Sequence, residues 1–149
     1  MHGVRIVAAL VVGTLALTAT AAGTVAPYSP KRTAACLASH HVLAVTGLSQ
    51  DQALVPPAIH PSSTILANFA LVSGQELDHP TIAFFATPTT AAAARVKWLR
   101  VVKAAAAQVP GITLPDLRPL FLLQGNVVVL WSSMATKAAT RRTVIGCLK

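Results

Sequence analysis

Two cysteines are the residues whose chemistry this sequence constrains most. Cys36 and Cys147 are the only cysteines in a chain of 149 residues. In an oxidising compartment such a pair predicts a disulfide that ties the two ends of a domain together. Loop entropy sets an upper stabilisation of about 4–5 kcal/mol. The alternatives are two unpaired thiols, or a lipid attached at Cys36. The second is disfavoured because leucine is absent three positions before the cysteine, where Thr33 stands.

A second group with metal-binding chemistry is formed by Glu76, Asp78 and His79. The chain has four carboxylate side chains in all, and two of them lie here beside an imidazole. Carboxylate oxygens and imidazole nitrogens bind divalent ions, so the segment predicts a metal site of a metal carrier or a small metal-dependent enzyme. The competing interpretation, which we favour, is a solvated turn between two strands, whose charges keep it on the surface.

The sequence lacks the other motifs that carry chemistry. It contains no G-x-S-x-G or S-x-x-K nucleophile motif, no H-E-x-x-H or C-x-x-C metal motif, and no glycine-rich phosphate fingerprint. Asp51 and Asp116 lie in separate predicted loops, so no acid pair for glycoside hydrolysis is indicated. His40 and His41 would point to opposite faces of a strand, a poor geometry for chelation. We therefore expect no catalytic residues and no cofactor.

The charge of the chain is strongly one-sided. Twelve lysines and arginines face four carboxylates, which gives a formal net charge of +8. Lys97, Arg100 and Lys103 recur every three residues and form a basic stripe on a predicted helix. Such a stripe predicts contact with an anionic lipid or an anionic wall polymer, and its alternative is the solvated face of an amphipathic helix. Nucleic acid is not expected of an exported protein whose aromatic content is 5%.

The first 22 residues have the three parts of a secretory signal peptide in the right order. Arg5 supplies a positive charge, residues 6–17 are uncharged and apolar, and Ala19-Thr20-Ala21 fits the small-residue cleavage pattern. The alternative is an uncleaved membrane anchor, because residues 6–25 carry no charge and approach the ~20 residues that span a bilayer. The second half of that stretch is Ala, Thr and Gly, which favours cleavage.

The rest of the chain predicts a flexible tether over residues 23–35 and one disulfide-closed domain over residues 36–149. Alternating apolar residues predict strands, and 3.6-residue periodicity predicts helices. Gly125-Asn126 is a two-residue hairpin loop in which glycine can take the positive φ of a type II′ turn. The predicted order is β-β-β-α-β-β-α, and the predicted fold is α+β: an antiparallel sheet of about five strands with two helices packed on one face. The predicted strands are 42–45, 64–72, 81–86, 120–123 and 127–131, and the predicted helices are 91–108 and 136–148.

The C-terminal third carries a resemblance to known proteins. An Ala-rich helix precedes the segment 125–131, and a short helix then ends in Gly146-Cys147-Leu148. With the predicted signal peptide, these features resemble small exported proteins of Ala- and Arg-rich bacterial proteomes, which have no assigned function. The resemblance implies a compact α+β domain with one disulfide and brings no catalytic residues. We expect a non-catalytic extracytoplasmic domain, secreted or in the cell envelope.

Overall fold

The computed structural model describes residues 27–69, 78–108, 116–133 and 135–148. These residues form a five-stranded antiparallel sheet and three α-helices, so the α+β class is confirmed. The observed order is α-β-β-β-α-β-β-α, which adds one N-terminal helix to the predicted order. The elements are α1 (Pro30–Ser39), β1 (Leu43–Thr46), β2 (Ser63–Asn68), β3 (Thr81–Phe84), α2 (Pro88–Ala106), β4 (Phe121–Gln124), β5 (Val127–Leu130) and α3 (Ala138–Cys147).

The strands lie in the order β1-β2-β3-β5-β4, and every neighbouring pair is antiparallel. β1, β2 and β3 form a meander, and the β4–β5 hairpin then docks with β5 against β3. Ile82 stands at the centre of this register, opposite Ile65 of β2 and Val129 of β5. All four residues of β3 are buried, so the middle of the sheet needs cover on both faces.

Each face of the sheet has its own hydrophobic core because successive strand residues point to opposite sides. Ile82 of β3 belongs to the core beneath α1 and α3, whereas its neighbour Ala83 belongs to the core beneath α2. The first core includes Leu37, Ile65, Phe84, Val127, Val129, Val144 and Cys147. The second core includes Ala53, Val55, Ile59, Ala91, Ala94, Trp98, Phe121 and Val128.

The prediction that both helices pack on one face is therefore wrong. α1 and α3 contact each other on one side of the sheet, and α2 packs on β4 and β5 from the other side. The loop 48–59 covers the remainder of the α2 side, and the Thr81 hydroxyl donates to the Ala53 carbonyl oxygen at 3.0 Å. The physical reason is the doubly buried β3: one helical layer would leave half of its side chains in water.

The C-terminal part of the predicted tether is helical. Residues 30–35 begin α1, with Ser29 as the N-cap and Pro30 in the first turn. The Ser29 side chain accepts from the Arg32 backbone N–H, and proline is well suited to the first helical position. The Pro-Ser content that predicted a tether is thus a helix start. The predicted signal peptide, residues 1–22, and the first tether residues, 23–26, lie outside the described residues.

The chain is fixed to the β4–β5 turn already at Tyr28. The backbone N–H of Tyr28 donates to the Asn126 side-chain oxygen at 2.7 Å, and the Asn126 amide donates to the Phe85 carbonyl oxygen at 2.9 Å. The Tyr28 hydroxyl accepts from the Gln124 side chain at 2.9 Å. Gly125 has φ +55°, as the predicted hairpin turn requires at its first position. The turn therefore anchors the N-terminal segment as well as connecting two strands.

Candidate functional site

The predicted disulfide is present between Cys36 of α1 and Cys147 of α3, with a Cα–Cα distance of 5.4 Å. Cys147 is fully buried and Cys36 is half-buried. Both helices lie on the same face of the sheet, so the bond joins two neighbouring elements of one layer. The pairing of the two ends of the domain is confirmed.

His40 lies beside this disulfide, a contact that the sequence analysis did not predict. His40 follows Cys36 by four residues and is the C-cap of α1, which places both on one side of the helix. Its imidazole nitrogen and the two sulfur atoms all lie within 4.8 Å of one another. Among the described residues, this is the one group of three or more His, Cys, Asp or Glu donors that close together.

The sequence signal for His40 was the i, i+4 spacing from Cys36 rather than its pairing with His41. His41 has φ +58°, so the chain leaves the helix between the two histidines and neither belongs to a strand. The argument that these two histidines would be poor chelators on a strand therefore does not apply to them. A helical Cys-x-x-x-His pair on one face is a donor arrangement that sequence inspection can recognise.

The predicted metal turn is described for Asp78 and His79, while Glu76 lies outside the described residues. The Asp78 carboxylate accepts hydrogen bonds from the hydroxyls of Ser132 and Thr136. The backbone N–H of His79 donates to the Ser132 hydroxyl at 3.2 Å. These contacts tie the end of the turn to the segment between β5 and α3. They give Asp78 a structural role, and a bound cation at this turn stays a prediction.

The imidazole of His79 is also engaged. Its Nδ1 lies 2.8 Å from the side-chain oxygen of Asn68, at the end of β2. With the amide oxygen of Asn68 as the acceptor, Nδ1 of His79 is the donor of this hydrogen bond. Although Ser132, Asp78 and His79 are neighbours, Ser132 meets the backbone of His79 rather than its ring. The structure shows no nucleophile–base contact between these three residues.

The three residues of the predicted basic stripe, Lys97, Arg100 and Lys103, are all exposed on α2. Two valines share this outer surface: Val96 is 49% exposed and Val101 is 41% exposed. Val101 thus lies on the exposed side of α2, away from the buried Trp98. We call the surface formed by these five residues the outer α2 face. The 19 residues of α2 contain no Asp or Glu.

The buried side of α2 belongs to the hydrophobic core between this helix and the sheet. Trp98 is fully buried and meets Phe121 of β4 edge to face, with 5.8 Å between ring centroids. Trp131 is 3% exposed, and the Arg141 guanidinium lies 4.9 Å from its ring centroid. The two tryptophans are core residues. Arg141 lies on α3, across the sheet from α2, and therefore does not extend the basic stripe.

The electrostatic surroundings of the outer α2 face are positive. Over residues 27–69, 78–108, 116–133 and 135–148, the one ion pair is Arg118 with Asp116, at 2.8 Å. The side-chain hydrogen bond from Arg118 lowers the pKa of Asp116, and the charge of Lys103 contributes to the same direction. The Asp116 carboxylate, which is close enough to Lys103 for its pKa to be affected by that charge, is thus already paired with Arg118.

Comparisons with known proteins returned no match: no family model fits the chain, and no curated protein or solved structure is significantly similar to it. Within the part of the chain that the structure describes, no helix has the length and apolar character to cross a membrane. What the molecule itself defines is a disulfide-closed α+β domain with helices on both faces of an antiparallel sheet.

Proposed function

We propose that this is a non-catalytic extracytoplasmic domain that binds anionic phospholipid surfaces through the outer α2 face. The observation that carries the proposal is the composition of that face: three exposed cations and two exposed valines on a helix without a carboxylate. The disulfide supports an oxidising, extracytoplasmic location. The polar contacts of Asp78, His79 and Ser132 hold loops together, which fits a protein without catalytic machinery.

The binding free energy expected from the outer α2 face is sufficient for reversible attachment to an anionic membrane. A basic residue near an anionic membrane contributes about 1 kcal/mol, so the three cations together contribute about 3 kcal/mol. Transferring the exposed parts of Val96 and Val101 out of water adds on the order of 1 kcal/mol each. Binding of this kind weakens with salt, because the Debye length falls from about 10 Å at 0.1 M to about 3 Å at 1 M.

The exposed valines distinguish a lipid surface from a wall polymer. An anionic polymer in water presents charge but no hydrocarbon layer, and it would leave Val96 and Val101 solvated. A bilayer interface accepts both the ammonium and guanidinium groups and the apolar side chains between them, as amphipathic surface helices do. We therefore assign anionic phospholipid as the ligand and treat the polymer as the competing outcome.

The test is cosedimentation of the exported protein with vesicles of phosphatidylcholine alone or mixed with phosphatidylglycerol. The variant Lys97→Ala/Arg100→Ala/Lys103→Ala is expected to bind the anionic vesicles about 100-fold more weakly at low salt, the equivalent of ~1 kcal/mol for each charge. The matched control, Lys31→Ala/Arg32→Ala/Arg142→Ala, removes three exposed cations from α1 and α3 on the other side of the sheet. It is expected to keep most of the binding.

A Val96→Thr/Val101→Thr variant separates lipid from polymer. It is expected to lose vesicle binding about 10-fold while all charges remain. Because threonine keeps one methyl group, about half of each valine's contribution is lost, on the order of 1 kcal/mol for the two side chains together. Equal loss in the two triple-Ala variants would show that only net charge matters and would overturn the assignment to α2. Binding to a soluble polyanion that is indifferent to the valine substitutions, without vesicle binding, would favour the wall polymer instead.

The first residue of the exported protein distinguishes surface binding by the domain alone from attachment by an uncleaved anchor. Mass spectrometry that places the first residue near Ala22 or Gly23 supports cleavage and surface binding by the domain alone. A first residue at Met1 supports the alternative of an uncleaved anchored subunit. Because all variants share one N-terminus, their differences in vesicle binding report on α2 in either case.

A further inference from the structure

We infer that Cys36, His40 and Cys147 form a thiophilic metal site that becomes available when the disulfide is reduced, with Zn²⁺ as the representative cation. The inference rests on the juxtaposition of one imidazole and two sulfur atoms within 4.8 Å, at the junction of α1 and α3. It is independent of the outer α2 face, which lies across the sheet. Two thiolates and one imidazole are a donor set that binds zinc in other proteins.

The spacing of the three residues is compatible with a tetrahedral site once the disulfide is reduced. Zinc binds sulfur at about 2.3 Å and nitrogen at about 2.0–2.1 Å, which places the donor atoms roughly 3.5–3.8 Å apart. The two cysteine Cα atoms are 5.4 Å apart, so side-chain rotation alone can open the sulfur atoms to that spacing. α1 fixes Cys36 and His40 one turn apart, and burial fixes Cys147 at the end of α3.

The surroundings of the three donors suit metal entry. Cys147 is buried, Cys36 is half-buried and His40 is exposed, so the cluster opens to solvent on the histidine side. A dication bound by two thiolates and a neutral imidazole has no net charge, which lowers the cost of partial burial. The described residues supply three donors, and a water molecule completes the coordination, as in zinc sites with an open position.

The chemistry balances with a dithiol as reductant. One thiolate of the reductant attacks a sulfur of the Cys36–Cys147 bond, and its second thiol then resolves the mixed disulfide. Two electrons and two protons pass to the protein, the S–S bond breaks, and the reductant leaves as a disulfide. Zn²⁺ then displaces the two thiol protons into solvent and forms two Zn–S bonds and one Zn–N bond. The metal replaces the covalent link between α1 and α3.

The experiment uses the exported protein, reduced with a dithiol and freed of it by anaerobic gel filtration. Co²⁺ is added as a spectroscopic probe and is then displaced by Zn²⁺. We expect the reduced protein to bind one Co²⁺ per chain with a thiolate-to-cobalt charge-transfer band and tetrahedral d–d bands. The oxidised protein is expected to show neither band, because its sulfur atoms are bonded to each other.

His40→Ala is the decisive variant. His60→Ala is its matched control, since His60 is an exposed histidine directly after the loop 48–59, which lies on the opposite side of the sheet. Removing His40 is expected to weaken Zn²⁺ binding by at least about 10-fold, because loss of even an outer-shell partner costs ~10–100-fold. The His60 variant is expected to match the wild type. Equal affinity of the two variants would overturn the assignment of His40.

Near-UV circular dichroism extends the test to the case in which reduction leaves the metal-free chain unfolded. Zn²⁺ is then expected to restore the folded spectrum in the wild type and in His60→Ala at concentrations where His40→Ala stays unfolded. Absence of a thiolate charge-transfer band in the reduced wild type would overturn the inference, whether or not the chain is folded. Vesicle binding by oxidised His40→Ala is expected to be unchanged, so the two proposals fail separately.

Discussion

A close contact between the Tyr28 ring and Gly125 holds the N-terminal segment in place, and it is possible because glycine has no side chain. The Tyr28 ring packs directly over Gly125, and a Cβ atom on that glycine would lie 2.7 Å from Cε2 of the ring. The ring has little freedom to move aside because its hydroxyl bonds to Gln124 and its backbone bonds to Asn126. Gly125 is thus required both for its positive φ and for this close approach.

A pair of glycine substitutions separates these two requirements. Gly47 also has a positive φ, +73°, but a Cβ there would meet nothing within 4 Å. Gly47→Ala is expected to lower the free energy of unfolding by about 1–2 kcal/mol, the cost of the left-handed conformation. Gly125→Ala is expected to cost roughly 1 kcal/mol more, since the Tyr28 ring must move and lose its bond to Gln124.

The measurement is urea unfolding of oxidised protein, followed by far-UV circular dichroism. Tyr28→Ala removes the ring, and in that background the two glycine substitutions are expected to cost the same. A Gly125→Ala penalty equal to that of Gly47→Ala in the wild type would contradict the proposed close approach. A penalty for Gly125→Ala that persisted in full without the ring would contradict it as well.

The candidate residues were predictable to different degrees for a physical reason. The Cys36–Cys147 bond followed from the sequence because two cysteines allow one intramolecular pairing. The basic stripe Lys97–Arg100–Lys103 followed from helical periodicity, which is local. His40 did not follow, because its role depends on Cys147, and the approach of α3 to α1 is a tertiary contact. The sequence shows the i, i+4 spacing of Cys36 and His40, but it does not show that Cys147, the third donor, lies beside them.

At the scale of elements, α2 shows how a helix start is specified by side-chain hydrogen bonds. The helix begins at Pro88, three residues before the predicted start at residue 91, and its N-cap is Thr87. The Thr87 hydroxyl accepts from the Thr90 N–H, and the Thr90 hydroxyl accepts from the Thr87 N–H, each at 3.1 Å. This reciprocal pair is a capping box with threonine in both positions.

Thr87→Ala is therefore expected to lower the free energy of unfolding by about 1 kcal/mol, the usual cost of removing an N-cap hydroxyl. Thr89→Ala, one position into the helix and exposed, is expected to change it by less than about 0.5 kcal/mol. Chemical denaturation of both variants beside the wild type checks this order. A larger effect at Thr89 than at Thr87 would contradict the assignment of Thr87 as the N-cap.

The elements that the sequence predicted correctly are those with a strong local pattern. All five strands and the helices α2 and α3 were predicted within a few residues, because alternation and helical periodicity act over short distances. α1 was missed because Ala, Thr and Ser give it a weak apolar stripe: of its ten residues, Thr33 and Leu37 are buried. The helix is stabilised by its packing on α3 and the sheet, which no local pattern reveals.

At the scale of the whole molecule, the arrangement of layers separates the two proposed activities. The outer α2 face lies on one side of the sheet, and the Cys36–His40–Cys147 cluster lies on the other. This separation could not be predicted, because placing β5 beside β3 and α2 across the sheet from α3 requires contacts between residues far apart in the sequence. A redox change at the disulfide therefore need not alter the surface that is proposed to bind lipid.

The disulfide is expected to be a large single contribution to the stability of the whole molecule. It spans 111 residues, and loop entropy assigns to it up to about 4–5 kcal/mol, a sizeable part of the ~5–15 kcal/mol typical of a domain. Cys36→Ala/Cys147→Ala is expected to lose most of that amount in urea unfolding with a chelator present. Its denaturant slope is expected to rise, because an uncrosslinked unfolded chain exposes more surface. A double variant within about 1 kcal/mol of the wild type, at an unchanged slope, would show that packing of α1 on α3 alone joins the two ends of the domain.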